Sequence, residues 1–537
     1  MTLAGLRCAA PGMIVATAVL LPFLNKAFTI DDTLFLRQAE HLLTDPLHPT
    51  AFEMVWSEAP VPRRVSQFMP TGPIMAYLLL PAVVLDGAEW AAHAVQIAMM
   101  GMAVFATATL GRRMGLGNAQ ATMAGILLAT TPAALAMAGT AMPDVPAMAL
   151  GALGLERLYA WKQQRRWHQC LVAAAALALA PLARPHLVLM LFIGGLVMAG
   201  DARHWRQWSA VKWFRFLPIV LAPLITFVLM AMTRDPEGGT ADVSRAAWQL
   251  SSINLWRINL IAFAIHWVLV LPRAIPWVLL RGGSLLTRPS LFAALAALAA
   301  ATALAVSSSA GRSAFWIAPV AALGAAVLWD IVVDAWKRRD MSQGLLAAWL
   351  VVALPIALYV HMPSKYLLAS APAAALLIVT TGTRHDGRWA MGVVALSCAL
   401  GLALGILILR ADARFAGLGR RAATDVIAPQ VAAGKHVWFS GHWGFQWYAE
   451  KAGARCLTTT PPHPDPGDVA VSSLRAFGLS INEFPNRRFV HSLAEATPGG
   501  RLMSTKHGAG FYSNGWGYLP WAWGTDEIER FDVWVFD

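Results

Sequence analysis

Two adjacent acids, Asp31 and Asp32, follow the first long apolar segment of the chain. They either cap a helix over Thr33–His41, since Asp favours helix N-termini, or provide a general base that takes a proton from a hydroxyl. A third acid, Asp144, stands in a Pro-Asp-Val-Pro turn between two apolar segments. It either marks the turn or acts chemically, because an acid at the edge of a membrane is a functional candidate by default.

Two cations stand at similar boundaries. Arg184 lies between the fifth and sixth apolar segments, and Lys365 precedes the twelfth. Each could extend its charged end to the interface while its stem stays in apolar surroundings. Together they suit an anionic phosphate, which cationic donors bind strongly. A carboxylate base beside a cationic phosphate site suggests group transfer from a lipid phosphate.

The composition identifies the kind of protein that must position these residues. Of 537 residues, 57% are hydrophobic and 13% are charged, whereas soluble domains carry about 25% charged residues. This excludes a soluble protein and a disordered one, and 23 Trp suit a membrane interface. The net charge of +12 does not indicate nucleic-acid binding, because Lys and Arg concentrate in short loops between apolar segments. The four cysteines show no metal or redox spacing.

The apolar pattern predicts a mainly α, polytopic membrane protein of about thirteen transmembrane helices, because a bilayer core of about 30 Å needs roughly 20 apolar residues per helix. Basic loops such as Lys337–Arg339 place the N-terminus inside and, with an odd number of spans, the C-terminus outside. The predicted spans are 11–29, 89–110, 119–138, 145–161, 169–183, 185–200, 213–231, 258–280, 289–306, 314–333, 344–360, 366–381 and 389–410.

Two domains are expected. Residues 1–410 form the transmembrane domain, with outer loops over 30–88 and 232–257, and the first loop is predicted to hold amphipathic surface helices such as Asp32–Leu43. Residues 411–537 are polar and rich in Gly and Pro, and predict a small extracytoplasmic α/β domain. Its predicted elements are strands His436–Ser440, Asp468–Ser472 and Phe531–Phe536, and a helix Phe445–Ala452.

Short motifs, in a constant order and on one predicted side of the membrane, carry a family resemblance. The chain resembles an integral-membrane GT-C glycosyltransferase of family 39 and its bacterial relatives, which are related to protein O-mannosyltransferases and to lipid A aminoarabinose transferase. The motifs are Asp31-Asp32 with Phe35 after one span, Pro70–Tyr77, Asp144, Arg184-Pro185, Lys365–Pro372 and Gly441–Tyr448.

The chain departs from the family pattern at three positions. The family usually has Asp-Glu at the first loop, where Asp31-Asp32 stands here, so the two acids could exchange roles. Arg184 stands where the family usually has Lys, and Lys365 where it usually has Arg. Arg and Lys both bind phosphate, and Arg can do so with two donors. A lectin-like insertion is absent from the sequence, which disfavours the eukaryotic protein O-mannosyltransferases.

The resemblance implies an inverting transfer of a sugar from a polyprenyl-phosphate donor to a hydroxyl of a lipid, glycan or protein, at the outer face of the plasma membrane. Asp31 is then the base, unless Asp32 exchanges roles with it, and Asp144 orients the acceptor or the basic residues. Arg184, Lys365 and Tyr366 bind the donor phosphate. No cofactor and no metal is expected, since the donor is itself a lipid-linked sugar phosphate. The alternative is a transporter or flippase, although paired halves typical of transporters are not evident in the sequence.

Overall fold

The computed structural model describes most of the chain as helix. The described residues are 3–56, 59–68, 72–199, 213–238, 253–271, 274–281, 296, 298–299, 314–338, 341–359, 361–382, 387–476 and 478–537. The α-helices up to the C-terminal domain are Leu3–Leu20, Asp32–His41, Val65–Phe68, Ile74–Val84, Glu89–Arg113, Asn118–Ala129, Pro132–Ala138, Asp144–Gln164, Trp167–Ala183, Leu189–Ala199, Leu217–Thr233, Ile253–Val270, Ala274–Arg281, Ala314–Arg338, Met341–Leu350, Ala371–Gly382 and Gly387–Arg421.

Several of these helices are long and apolar enough to cross a bilayer, which confirms the polytopic membrane fold. Within the described ranges there are 7 such helices, or 8 if the pair Asn118–Ala129 and Pro132–Ala138, bent by 58°, is one span. Three further apolar helices are shorter, at 10–17 residues. The seven are Leu3–Phe23, Glu89–Arg113, Phe214–Thr233, Pro319–Lys337, Met341–Leu358, Ser364–Gly382 and Met391–Ala432.

The number of thirteen spans and the orientation of the termini stay predictions. Nearly all of the predicted span 289–306 lies outside the described residues. The predicted span 258–280 appears as two helices, Ile253–Val270 and Ala274–Arg281. The predicted span 344–360 is an α-helix followed by the 3-10 turn Leu354–Leu358, whose Pro355 lacks the N–H that a continuing α-helix needs.

Small residues allow the helices of the bundle to approach closely. A Cβ on Gly154 would lie 2.7 Å from the side chain of Leu177 on the next helix. A Cβ on Gly12 would lie 2.8 Å from the backbone of Gly125. Lipid tails are as apolar as the helix side chains, so the hydrophobic effect does not drive membrane helices together. Close packing of this kind stabilises their association instead.

The helix predicted over Asp32–Leu43 exists as Asp32–His41, but it is not a surface helix. Most of its side chains are buried, including Leu34, Phe35 and Leu36. It lies between the bundle and the C-terminal domain, so its apolar residues face protein on more than one side. The same outer loop also holds a hairpin of strands Glu53–Trp56 and Ala59–Arg64.

The C-terminal α/β domain is confirmed, with helix Trp443–Lys451 beside a five-stranded sheet. Val437–Ser440 pairs in parallel with Val469–Ser473, and the latter pairs antiparallel with Arg530–Phe536. Phe439, Phe445 and Phe531 form the core beneath the sheet. The strand order is Arg455–Cys456, Val437–Ser440, Val469–Ser473, Arg530–Phe536 and Arg487–Ala494.

The helix Gly387–Arg421 passes residue 410 without a break and continues through a π-helical turn, Ala422–Ile427, to the short helix Ala428–Ala432. The division of the chain at residue 410 therefore stays a prediction. A continuous helical segment, which includes this π-helical turn, therefore joins the bundle to the C-terminal domain.

Candidate active site

An ion pair between Asp31 and Lys365 is at the centre of the candidate site. The Lys365 Nζ lies 2.8 Å from the Asp31 Oδ2. The Asp31 side chain is 30% exposed, whereas that of Lys365 is 5% exposed. Asp31 precedes the helix Asp32–His41, yet its side chain makes no capping hydrogen bond. The capping interpretation of Asp31 is therefore wrong, and its carboxylate faces an accessible space beside a buried ammonium group.

Asp32, the adjacent acid, points the other way. It is fully buried, and its two oxygens accept hydrogen bonds from the backbone N–H groups of Thr29 and Ala141, each at 2.8 Å. Burial raises the pKa of Asp32 to about 7, although the Lys26 ammonium and these N–H groups oppose the rise. Asp32 therefore ties the turn that carries Asp31 to the loop that precedes Asp144.

The charge state of Asp31 follows from its neighbours. Burial acts to raise the pKa of Asp31, but the charge and hydrogen bond of Lys365, together with smaller contributions from Arg184 and His361, outweigh this effect. The pKa therefore lies below the ordinary value of 3.8. A nearby cation favours the charged form of a carboxyl, so Asp31 is ionised at neutral pH.

Arg184 and Asp144 form a second, buried ion pair. The Nε and Nη2 of Arg184 donate to the two oxygens of Asp144 at 2.9 and 2.7 Å. Their side chains are 6% and 2% exposed. Arg184 is extended because Pro185 follows it and disfavours a helical residue before it. This break ends the helix Trp167–Ala183 and turns the guanidinium towards the site.

Tyr366 connects the two ion pairs within an aromatic cluster. The Arg184 guanidinium lies 5.2 Å from the centre of its ring, and the Lys365 ammonium 5.9 Å. His361 stacks on the same ring at 6.1 Å, and burial lowers the pKa of His361 to about 4 with a contribution from Lys365. Two further rings, those of His186 and Tyr359, lie 5.9 and 6.2 Å from Tyr366.

A further buried ion pair supports the turn that carries Asp31. Lys26 Nζ lies 2.8 Å from Asp412 Oδ2, and both side chains are 1% exposed. The Thr29 hydroxyl donates to the other Asp412 oxygen at 3.4 Å. Asp412 lies on the long helix Gly387–Arg421, so this helix anchors the residues immediately before Asp31.

The C-terminal domain contacts the same turn through its helix Trp443–Lys451. The Thr33 hydroxyl donates to the Trp443 carbonyl at 2.6 Å, and the Phe28 N–H donates to the Tyr448 hydroxyl at 2.8 Å. A Cβ on Gly444 would lie 1.9 Å from the Phe28 carbonyl oxygen, so the close contact requires glycine. The motif Gly441–Tyr448 is therefore a packing element against residues 28–33.

Five of the six side chains predicted for the site lie close together. The structure brings together Asp31, Asp144, Arg184, Lys365 and Tyr366, while Asp32 lies behind the turn. The sequence reasoning did not assign a role to His186, Tyr359, His361, Lys26 or Asp412.

Of the motif Pro70–Tyr77, residues 70 and 71 lie outside the described residues, and Gly72 packs against the Leu182 carbonyl close to Arg184. In the described part of the chain, no three His, Cys, Asp or Glu residues form a group that could hold a metal ion.

Comparison with known proteins adds solved structures of low sequence identity. No protein-family model matches the chain, and no curated protein matches its sequence. The chain is similar to ArnT from Cupriavidus metallidurans bound to undecaprenyl phosphate, with 16% identity, a TM-score of 0.46, and coverage of 87% of this chain and 93% of that one. It is also similar to the oligosaccharyltransferase AglB from Archaeoglobus fulgidus in complex with an inhibitory peptide and a dolichol-phosphate, with 11% identity, a TM-score of 0.43, and coverage of 84% and 64%.

A third similar structure is the arabinofuranosyltransferase AftD from Mycobacteria, with 13% identity, a TM-score of 0.43, and coverage of 98% of this chain and 39% of that one. The chain thus spans less than two thirds of AglB and of AftD. At such TM-scores the similarities carry no argument, so the function is proposed from the residues of the site.

Proposed function

We propose that the chain is an inverting glycosyltransferase that moves a sugar from a polyprenyl-phosphate donor to an acceptor hydroxyl at the outer face of the membrane. The observation that carries the proposal is the pair of Asp31 and Lys365, 2.8 Å apart at the end of apolar membrane helices. A base and a cation held together in that place suit a reaction in which a hydroxyl attacks and a lipid phosphate leaves.

Asp31 is the base in this proposal. It is the most accessible of the three acids, since its side chain is 30% exposed and that of Asp144 is 2% exposed. Both oxygens of Asp32 and both oxygens of Asp144 already accept hydrogen bonds. Asp32 and Asp144 therefore act as positioning residues, Asp32 for the turn and Asp144 for Arg184.

Lys365 and Arg184 bind the donor phosphate in this proposal. The bonds to Asp144 use two nitrogens of Arg184, and the remaining terminal nitrogen can donate to a phosphate oxygen. Tyr366 lies beside both cations and offers its hydroxyl as a further donor. Donors that are fixed before the reaction stabilise developing charge by about 3–4 kcal/mol each.

The proposed step is a single displacement at the anomeric carbon of the donor sugar. The acceptor oxygen forms a bond to the anomeric carbon while its proton passes to the Asp31 carboxylate. The bond from the anomeric carbon to the phosphate oxygen breaks, and the polyprenyl phosphate leaves with the electron pair. Lys365 and Arg184 face the charge that develops on that oxygen. Since attack and departure occur on opposite faces of the sugar, the anomeric configuration inverts.

No metal or cofactor is proposed for this step, because two cationic side chains, Lys365 and Arg184, are available to bind the leaving phosphate. The donor is a polyprenyl-phosphate sugar, and the acceptor is a lipid, glycan or protein hydroxyl at the plasma membrane. The apolar helices provide a surface for the polyprenyl chain, while the acids and cations lie where the helices end.

The test uses the full chain reconstituted in liposomes with undecaprenyl phosphates carrying radiolabelled hexoses or pentoses, and with cell-envelope lipids and glycans as acceptors. We expect labelled acceptor and free undecaprenyl phosphate to appear in equal amounts. Appearance of the intact lipid-linked sugar in the opposite leaflet, with no release of undecaprenyl phosphate, would instead identify a flippase and overturn the proposal.

A further inference from the structure

The loop that leads to Lys365 is held by a segment of the C-terminal domain. The Ser364 N–H donates to the Phe511 carbonyl at 3.0 Å, and the Met362 N–H donates to the Asn514 side-chain oxygen at 2.9 Å. Met362, Ser364 and Asn514 are buried. The 3-10 turn Ser364–Ser370 begins at this point, so these bonds fix the start of the turn on which Lys365 lies.

The amide nitrogen of Asn514 also contacts the membrane helix Ile253–Val270. Its Nδ2 donates to the Asn259 Oδ1 at 2.9 Å. The Nδ2 of Asn259 in turn donates to the Ala357 and Tyr359 carbonyls at 3.0 and 2.7 Å. The orientation of the Asn259 amide is therefore set by two carbonyls, and its oxygen must face Asn514.

A second connection fixes the same loop from the side of Ser364. The His266 Nε2 lies 3.1 Å from the Tyr518 carbonyl, and its Nδ1 lies 3.0 Å from the Ser364 hydroxyl. A carbonyl only accepts, so Nε2 carries the hydrogen and the Ser364 hydroxyl donates to Nδ1. Residues 511–518 thus contact the loop before Lys365 both directly and through a buried histidine.

We propose that Asn514 is a positioning residue, and that through the backbone of Met362 it sets the place of Lys365 relative to Asp31. The helix Trp443–Lys451 of the same domain already holds the turn of Asp31. The C-terminal domain therefore holds both partners of the ion pair, one on each side. The consequence for the donor phosphate depends on the proposed function, whereas the placement of the loop does not.

Only an amide satisfies both contacts of position 514. The Met362 N–H needs an acceptor, and the fixed Asn259 oxygen needs a donor. Asn514→Ala removes both contacts, and Asn514→Asp keeps the first but places an oxygen against the Asn259 oxygen. A buried polar group that loses its partner costs about 1–3 kcal/mol, so both variants loosen the loop that carries Lys365. Asn482→Ala, at an exposed position of the same domain, is the matched control.

The first measurement is hydrogen exchange on the full chain in detergent, read at the peptide that covers residues 359–366. We expect Asn514→Ala to speed exchange of the Met362 and Ser364 amides, and Asn482→Ala to leave it unchanged. Unchanged exchange in Asn514→Ala would overturn the proposal whatever reaction the protein catalyses.

The second measurement is a double-mutant cycle on transfer from the undecaprenyl-phosphate sugar. We expect Asn514→Ala to lower kcat/KM about tenfold in the wild-type background and by less than about twofold in Lys365→Ala, because coupled residues are not additive. Equal losses in both backgrounds would show that Asn514 does not act through Lys365. If the wild-type protein transfers no sugar, the proposed function fails, and the exchange result alone then decides the role of Asn514.

Discussion

The Lys365 ammonium lies 2.8 Å from the Asp31 carboxylate, although 334 positions separate the two residues along the chain. The membrane helices and the C-terminal domain both contribute to this contact. The helix Gly387–Arg421 and the C-terminal domain hold the turn that carries Asp31, and the C-terminal domain also holds the loop before Lys365. An ionised acid beside a cation is the arrangement expected before a hydroxyl and an anionic phosphate enter. In the proposed reaction, the donor phosphate binds Lys365, and the Asp31 carboxylate is then free to accept a proton from the acceptor hydroxyl.

Removal of the charge is expected to lower the stability of the protein at Asp32 and the rate of transfer at Asp31. Asp32→Asn places an NH₂ group where the N–H of Thr29 or Ala141 needs an acceptor. We expect this variant to lose about 1–3 kcal/mol of stability. The melting temperature in detergent micelles measures the effect, while the protein that remains folded should still transfer sugar. A variant as stable as wild type but without transfer would instead make Asp32 the base.

The pH profile should report the pairing of Asp31 with Lys365. The ammonium lowers the pKa of Asp31 against the effect of burial, so the base is ionised throughout the neutral range. Lys365→Gln removes the cation and leaves the burial, so the pKa of Asp31 rises. We therefore expect the acid limb of kcat/KM to move to higher pH and the donor KM to increase.

The exposed Lys435, changed to Gln, is the matched control for this experiment. It should leave both the acid limb and the donor KM as they are in the wild type. An acid limb at the same pH in Lys365→Gln and in the wild type would show that Lys365 does not lower the pKa of the catalytic base. That result would contradict the assignment.

The pair of Arg184 and Asp144 allows stability to be separated from transfer. Asp144→Ala leaves a buried guanidinium without its partner, which costs about 3–5 kcal/mol. Adding Arg184→Met removes the charge as well, so the double variant should regain much of the lost stability. It should still transfer sugar poorly, because the guanidinium that binds the phosphate is missing. Thermal unfolding and transfer assays on the same preparations measure the two effects. Recovery of transfer together with stability would exclude Arg184 from the phosphate site.

Much of the site could be predicted because charge is scarce in this chain. Asp31, Asp144, Arg184 and Lys365 stand at the ends of apolar segments, where the orientation of the helices does not require them. The sequence could not separate Asp31 from Asp32, because only the turn of the backbone sends one side chain outward and the other inward. Lys26 and Asp412 pair across most of the chain, and no local pattern indicates such a contact.

The class of fold was predictable from the sequence, whereas the placement of individual helices was less so. Apolar length and composition indicated the membrane helices, and short strand-like runs in a region rich in Gly and Pro indicated the strands around Val437–Ser440 and Val469–Ser473. The helix Asp32–His41 was wrongly expected at the surface, because Thr33 and Arg37 bind Trp443 and Glu450 of the C-terminal domain, which the local sequence does not reveal. The proposed role of Asn514 depends on contacts with two distant segments, the loop at Met362 and the helix that carries Asn259, and is likewise not evident from the sequence.

The most direct test of the account is the rate of transfer in Asp31→Asn. Asn keeps the shape of Asp31 but cannot accept the proton, and loss of a general base costs about 10²–10⁴ in rate. Asp86→Asn is the matched control, since the Asp86 side chain is fully exposed and Asn tolerates its positive φ of 57°. We expect Asp31→Asn to release almost no undecaprenyl phosphate while remaining folded in the membrane, and Asp86→Asn to match the wild type. Release by Asp31→Asn at the wild-type rate would contradict the account.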